Sequence, residues 1–322
     1  MKRSWTYLVF LILPIIFLVY LQGNFAFPVR GDYSDLAISH LPNAEYLRQS
    51  LLIGEIPLWS PRIFAGYPFA ANPLSGLHYP FGWIALLFTL PFGFTFVTAL
   101  HLAAAGLGMY LFLRSEGLSQ WPALTAGLVF QATPKLLAHF AAGHLTLVLA
   151  VCLMPWVLWA EQKRVTGANL CGWKFGPGIV LALIALADPR WLPYAALLWL
   201  AYAIRSVVKL RKTKPDVKLL SFAGGIFVQG LVMLALSAPL WLPLLEYVPL
   251  TTRSMMSASE NTALSLPPAN LLGLFIPSLG GYAEWELYAG AIPWLLFIFT
   301  LAVPGLRRQT WFWLMVLGLS LL

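Results

Sequence analysis

Charged side chains are scarce. Asp, Glu, Lys and Arg make up 10% of the 322 residues, against 60% hydrophobic ones, where soluble domains carry roughly 25% charge. That shortage excludes an ordinary soluble fold and reads as a polytopic membrane protein. Cysteine is nearly missing: Cys152 in an apolar run and Cys171 in a basic loop form neither a CxxC motif nor a disulfide framework. No Walker motif, GxGxxG or GxSxG appears, which argues against nucleotide-driven and triad chemistry. No period of about 20–50 residues repeats, and no inverted pair of broken helices occupies matching halves, which weakens a secondary-transporter assignment. The net charge of +8 would suit nucleic acid. The basic residues, however, fall in loops between apolar spans, as membrane orientation requires, so nucleic acid is not an expected partner.

Helix breakers and aromatics are plentiful, with 25 Gly, 24 Pro and 14 Trp, which imply kinked helices and re-entrant loops buried in protein. The expected fold is an all-α, polytopic transmembrane helical bundle with a large first external loop, one transmembrane domain over 1–322. Its first span, 5–22, follows Met1-Lys2-Arg3. The apolar run exceeds the ~7–15 residues of a signal-peptide core, and Gly23-Asn24-Phe25-Ala26-Phe27 is a poor cleavage site. An uncleaved anchor with a cytoplasmic N-terminus is therefore expected. The first external loop, 23–80, holds Asp32, Asp35, His40, Glu45, Arg48, Glu55 and Arg62. Within it, Leu36 to Ile53 has the spacing of a helix lying on the membrane surface, and five prolines from Pro57 to Pro80 punctuate a compact aromatic loop. Later spans, within 82–322, are expected at 82–113 (a hydrophobic arm, then a full span), 119–138, 145–160, 176–188, 191–204, 219–245, 290–306 and 310–322. Because the chain stops inside the apolar run Trp311 to Leu322, it is expected to be the N-terminal part of a longer protein.

With the N-terminus inside, 14 of the 20 Lys and Arg fall on the cytoplasmic face, from Lys2 to Arg308, in keeping with the positive-inside rule. Nine of the twelve acids fall outside, with only Glu116, Glu161 and Asp216 inside. Acids carry little topological weight, so their bias points to a polar site on the external side.

The densest candidate is Gly31-Asp32-Tyr33-Ser34-Asp35. Two carboxylates three apart meet on one helix face, where they could act as general base, hold a sugar hydroxyl, or bind a divalent cation such as Mg or Mn; an Asp opening the helix near Leu36 could equally be a plain N-cap. His139 and His144 bracket an external turn. Zinc sites normally need three or four ligands, so hydrogen bonding to phosphate or sugar suits this pair better, with interfacial histidines as the alternative. Asp188-Pro189-Arg190 sits between two short spans, where Arg190, oriented by Asp188, could clamp a phosphate or the pair could simply neutralise the turn. Glu246 opens a polar loop through Arg253, Glu260 and Asn261 that could fold over a site, and Glu284 and Glu286 close it. Arg62, Glu246, Arg253 and Glu286 complete the candidate donor- or substrate-binding residues.

A single N-terminal span, an acidic first external loop and many spans with a polar outer face resemble the GT-C class of membrane glycosyltransferases. The stretch Gly31-Asp32, Leu47-Arg48-Gln49-Ser50, Gly54-Glu55-Ile56-Pro57-Leu58-Trp59-Ser60-Pro61, Phe64-Ala65-Gly66-Tyr67-Pro68 and Ala71-Asn72-Pro73-Leu74-Ser75-Gly76-Leu77-His78-Tyr79-Pro80 is similar to the first loop of the bacterial YfhO-like membrane proteins. Trp285-Glu286-Leu287-Tyr288-Ala289-Gly290 resembles a later element of that family. The match covers roughly the first 80 residues; beyond them it is one of topology, and the family's chains run far longer. The resemblance implies a GT-C-like fold in the bacterial inner membrane and transfer of a sugar from a polyprenyl-phosphate-linked donor to an envelope polymer or lipid acceptor on the external face. It also implies an acidic first-loop base, with Asp32 on the family's Gly-Asp position and Asp35 beside it. Two other classes remain. A lipid or solute transporter or flippase would need a polar path, for which His101 is the clearest candidate; a non-catalytic envelope assembly protein would leave the acids scattered.

Overall fold

The computed structural model describes residues 3–22, 34–167, 173–216, 218–263, 265–277 and 279–320, and the regular structure among them is helical. Helix α1 runs Arg3–Gln22, and a π-helical turn, Leu36–His40, feeds α2, Leu41–Leu52. Two 3₁₀ helices, Phe69–Ala71 and Pro80–Leu87, precede α3, Leu90–Ser115. Then come α4 (Gln120–Gln131), α5 (Pro134–Ala142), α6 (Leu145–Cys152), α7 (Met154–Thr166), α8 (Gly176–Ala187), α9 (Leu192–Thr213) and α10 (Leu219–Tyr247). The short α11 (Ala258–Thr262), α12 (Ala291–Ala302) and α13 (Pro304–Ser320) complete the chain. Among the described residues, three helices are long and apolar enough to cross a membrane: Leu90–Ser115, Leu145–Thr166 and Leu219–Leu250.

Helix α3 is the hub, packed against α1, α4, α6 and α7. Its Phe94, Val97 and Leu102 share a core with Val148, Leu149 and Cys152 of α6 and with Leu181 and Ile184 of α8. Small residues set the spacing: a Cβ on Gly127 would fall 2.6 Å from the Gly106 carbonyl oxygen, so α3 and α4 approach backbone to backbone, as apolar helices without bulky interfaces do. Helix α10 is different, because only 6% of its most apolar window is buried, against 61% in α3.

Three boundaries depart from the sequence expectation. The single span expected at 119–138 is two helices broken at Thr133, whose φ of −58° and ψ of 123° are extended; Pro134 favours this break by disfavouring the helical region for the residue before it. The last two apolar helices meet at Val303 rather than at Arg307-Arg308, because Pro304 opens α13 with the missing N–H that a first turn tolerates. Helix α9 also runs on through the basic segment to Thr213, past the expected end at 204.

Charge collects at both ends of the bundle. At one, Glu116 accepts from Tyr202 (2.8 Å) and Arg205 (3.0 Å), and Arg205 lies over the rings of Phe312 and Trp313, tying α13 to α9. Fully buried Glu161 accepts two bonds from Arg164 (2.9 and 2.6 Å) and one from the Trp199 indole (3.1 Å). The opposite end carries the candidate site.

Candidate functional site

The π-helical turn starts at Ser34, whose carbonyl accepts from the amides of Ala37 and Ile38. Asp35 heads this turn, yet its side chain makes no capping hydrogen bond. The plain N-cap therefore does not describe it. Its carboxylate, 55% exposed, lies 3.5 Å from His144 Nε2.

His144 is delivered by the end of α5. The left-handed Gly143 (φ 91°) lets its own amide bond to the Phe140 carbonyl and the His144 amide to that of His139, each at 3.0 Å, a Schellman cap. The cap folds the two imidazoles together, with Nδ1 to Nδ1 at 3.0 Å. One Nδ1 must carry a proton and the other accept it. On its far side, His144 Nε2 lies 3.5 Å from both Asp35 and Glu284. A Cβ on Gly143 would sit 2.5 Å from Ser34 Oγ and 2.8 Å from the Leu36 amide, so this glycine also lets α5 meet the first loop. Gly143→Ala is expected to destabilise the fold by about 1–3 kcal/mol, from left-handed strain and the clash together, and to draw His144 away from Asp35. A thermal melt beside a wild-type control measures the first effect.

Glu284 comes from the far end of the chain. Lys135 of α5 donates to the carbonyls of Glu284 (2.7 Å) and Glu286 (3.3 Å), and the Glu286 carboxylate accepts the Tyr288 amide at 2.8 Å. The loop expected to cover a site thus docks on α5. Beneath it lies a cavity of about 290 Å³, lined by Ala138, Asn270, Tyr282, Trp285 and Glu286.

The Asp188 turn closes the cluster. Asp188 is buried and accepts from Thr146 Oγ1 (3.0 Å), the Arg190 amide (3.0 Å), Arg190 Nε (2.9 Å) and Arg190 Nη2 (2.7 Å). The turn is neutralised, and the Arg190 side chain is 57% exposed. His40, missed as a site residue, is buried beneath. Burial lowers its pKa to about 4, with the charges of Asp35, Arg190, Asp188 and His144 around it; burial, then Lys135 and His144, likewise hold His139 at about 4. For such a histidine the unfolded chain takes up a proton near pH 6.5 that the folded protein refuses until about pH 4. Stability is therefore expected to fall as pH drops through that window. His40→Gln should flatten the slope of melting temperature against pH there.

Among the candidates, Asp35, His139, His144, Asp188 and Arg190 come together, and Glu286 is tied to the group through its backbone carbonyl on Lys135. Arg62 does not: it bonds Gln49 Oε1 and lies over the Tyr46 ring, 4.9 Å from its centroid, because the proline-rich hairpin folds back on α2. Glu246 is exposed near the end of α10, and no ion pair or hydrogen bond among the described residues joins it to the histidines. Arg253 lies in a short 3₁₀ helix, Thr252–Met255, with its side chain outside the described residues, as is the whole of Asp32. Among the described residues no group of three or more His, Cys, Asp or Glu is placed to hold a metal ion. His40 and Thr146 carried a weak signal, lying five after Asp35 and two after His144. His101, the candidate for a polar path, is held by the Val97 carbonyl (2.8 Å) and the Tyr79 hydroxyl (2.6 Å).

Comparison of the chain with protein-family models, with characterised proteins and with solved structures finds no match.

Proposed function

We propose that this chain is a multi-pass membrane glycosyltransferase of the GT-C type, related to the YfhO-like proteins, that moves a sugar from a polyprenyl-phosphate-linked donor to an envelope acceptor. The observation that carries this proposal is convergence: titratable side chains from residues 35–40, 139–144, 188–190 and 284 meet at one end of an otherwise apolar bundle. In the reaction the acceptor oxygen attacks the sugar carbon, the bond from that carbon to the phosphate oxygen breaks, and polyprenyl phosphate leaves as an anion. The hydroxyl proton passes to Asp35, with His144 and Glu284 alongside to orient that carboxylate and share the proton; Asp32, three residues earlier, is the other candidate base. Asp188 occupies Nε and Nη2 of Arg190 and leaves the remaining guanidinium N–H groups for the donor phosphate. The cavity beside Glu286 suits the acceptor. A second, apolar groove of about 320 Å³ between the 3₁₀ helix and α3, α7 and α8, lined by Phe81, Val97, His101, Trp156 and Leu183, suits the donor's hydrocarbon chain.

A photoactivatable polyprenyl-phosphate sugar tests the assignment. Cross-linking is expected within 81–104 and 180–190 and to disappear with excess natural donor; labelling that excess donor leaves unchanged would contradict it. In the proposed orientation the site faces outside and the basic end faces the cytoplasm. A cysteine replacing Glu260 should react with an impermeant reagent in intact cells, and one replacing Lys212 should not; the reverse pattern would overturn the topology.

A further inference from the structure

The first loop carries a feature that the transfer chemistry does not use. Ser60 and Tyr67 exchange backbone hydrogen bonds, both at 2.9 Å, closing a hairpin. At its tip Phe64 (φ 56°) and Ala65 (φ 58°) are both left-handed, a conformation that L side chains adopt at a cost in free energy. The strain turns Phe64 outward until it is 89% exposed. Ile56, Leu58, Trp59 and Ile63 around it are each more than half exposed as well. The tip is braced from below: Tyr46 donates to the Trp59 carbonyl at 2.8 Å, the Trp59 indole lies so close over Gly66 that a Cβ there would overlap it, and Arg62 is held by Gln49 and the Tyr46 ring. A rigid apolar patch of this kind, maintained against strain, marks a surface made to be covered.

Its place in the fold says by what. The hairpin base, Tyr67, neighbours Tyr247 at the end of α10, and the following Phe69–Ala71 helix packs on α10. Helix α10 is an apolar helix left almost wholly exposed, and Leu245 near its end and Leu250 just beyond it are exposed as well. The tip therefore continues a surface suited to lipid, with Arg62 at its base at the level of phosphate headgroups.

We infer that the Ile63-Phe64 tip inserts into the headgroup and acyl boundary of the bilayer and anchors the first loop against the membrane; this rests on the membrane placement of α10 proposed above. In this arrangement α2 and the Asp35 turn are held at a fixed height over the lipid surface.

The test uses the full chain in nanodiscs of phosphatidylethanolamine and phosphatidylglycerol, with Cys152 and Cys171 replaced by alanine. Nitroxides are placed in turn by Phe64→Cys, Ile63→Cys, Leu231→Cys on α10 and Glu260→Cys, and their collisions with oxygen and with a water-soluble nickel chelate are compared. The labels at 63 and 64 are expected to favour oxygen, at a depth of about 5–10 Å, with 231 deeper and 260 in water. Nickel access at 63 and 64 with 231 deep would overturn the anchor alone. Nickel access at 231 would overturn the membrane placement with it. Shielding of 63 and 64 from both reagents would mean a protein surface or a second copy covers the tip, and would also overturn the anchor.

Discussion

Asp35→Asn and His144→Gln are each expected to lower sugar transfer by at least about 10²-fold, the usual scale of general-base assistance, while melting temperatures stay close to wild type. The separation of activity from stability follows from geometry. Asp35 makes no capping hydrogen bond and is half exposed, so removing its charge costs the helix little. Asn also retains an acceptor oxygen, so any residual capping would survive. Gln at 144 keeps a donor toward Asp35 and Glu284 but cannot carry a proton between them. His139→Gln should cost less than His144→Gln, because His139 reaches the carboxylates only through its neighbour. Asp32→Asn belongs in the same series. Loss of transfer in Asp32→Asn with near wild-type transfer in Asp35→Asn would move the base to Asp32; full activity in both and in the double variant would defeat a first-loop base altogether.

Arg190→Ala should show the largest stability loss, about 3–5 kcal/mol, read as a lower unfolding midpoint in micelles. Asp188 is 2% exposed, and this substitution strips two charge-assisted bonds from a carboxylate that cannot reach water. The opposite truncation is milder. Asp188→Asn leaves a guanidinium that is already 57% exposed and can hydrate, so about 1–3 kcal/mol is expected. The order of the two is the informative part: an Arg190→Ala protein as stable as Asp188→Asn would mean that the carboxylate is solvated and that the turn does not hold Arg190 in place.

Much of the helical frame was legible because it rests on composition. The apolar runs now seen as α3 and α10 need no tertiary information, since hydrocarbon-like stretches of that length have few other uses. The breaks at Thr133 and Val303 lie inside continuous apolar sequence, where the local effect of Pro134 and Pro304 on the preceding residue sets the boundary. At the site, Asp188 and Arg190 stood out because charge in an apolar neighbourhood needs a reason. His144 stood out beside Gly143, but nothing local says that the left-handed cap turns it onto His139. The pairing of His144 with Asp35 and Glu284 joins positions more than a hundred residues apart and was beyond any pattern in the chain. His40 looked like one more loop charge, and only burial makes it part of the cluster.

The central claim is sugar transfer, and the most direct measurement supplies the purified full chain in nanodiscs with a radiolabelled polyprenyl-phosphate sugar and an envelope acceptor fraction, without nucleotides. Label is expected to leave the organic-soluble lipid and appear in the acceptor, with one polyprenyl phosphate released for each sugar moved, and Asp35→Asn/His144→Gln protein should leave the label where it was. Label retained in the lipid across hexose donors and acceptors, by wild-type protein whose melting curve shows it folded, would contradict the claim.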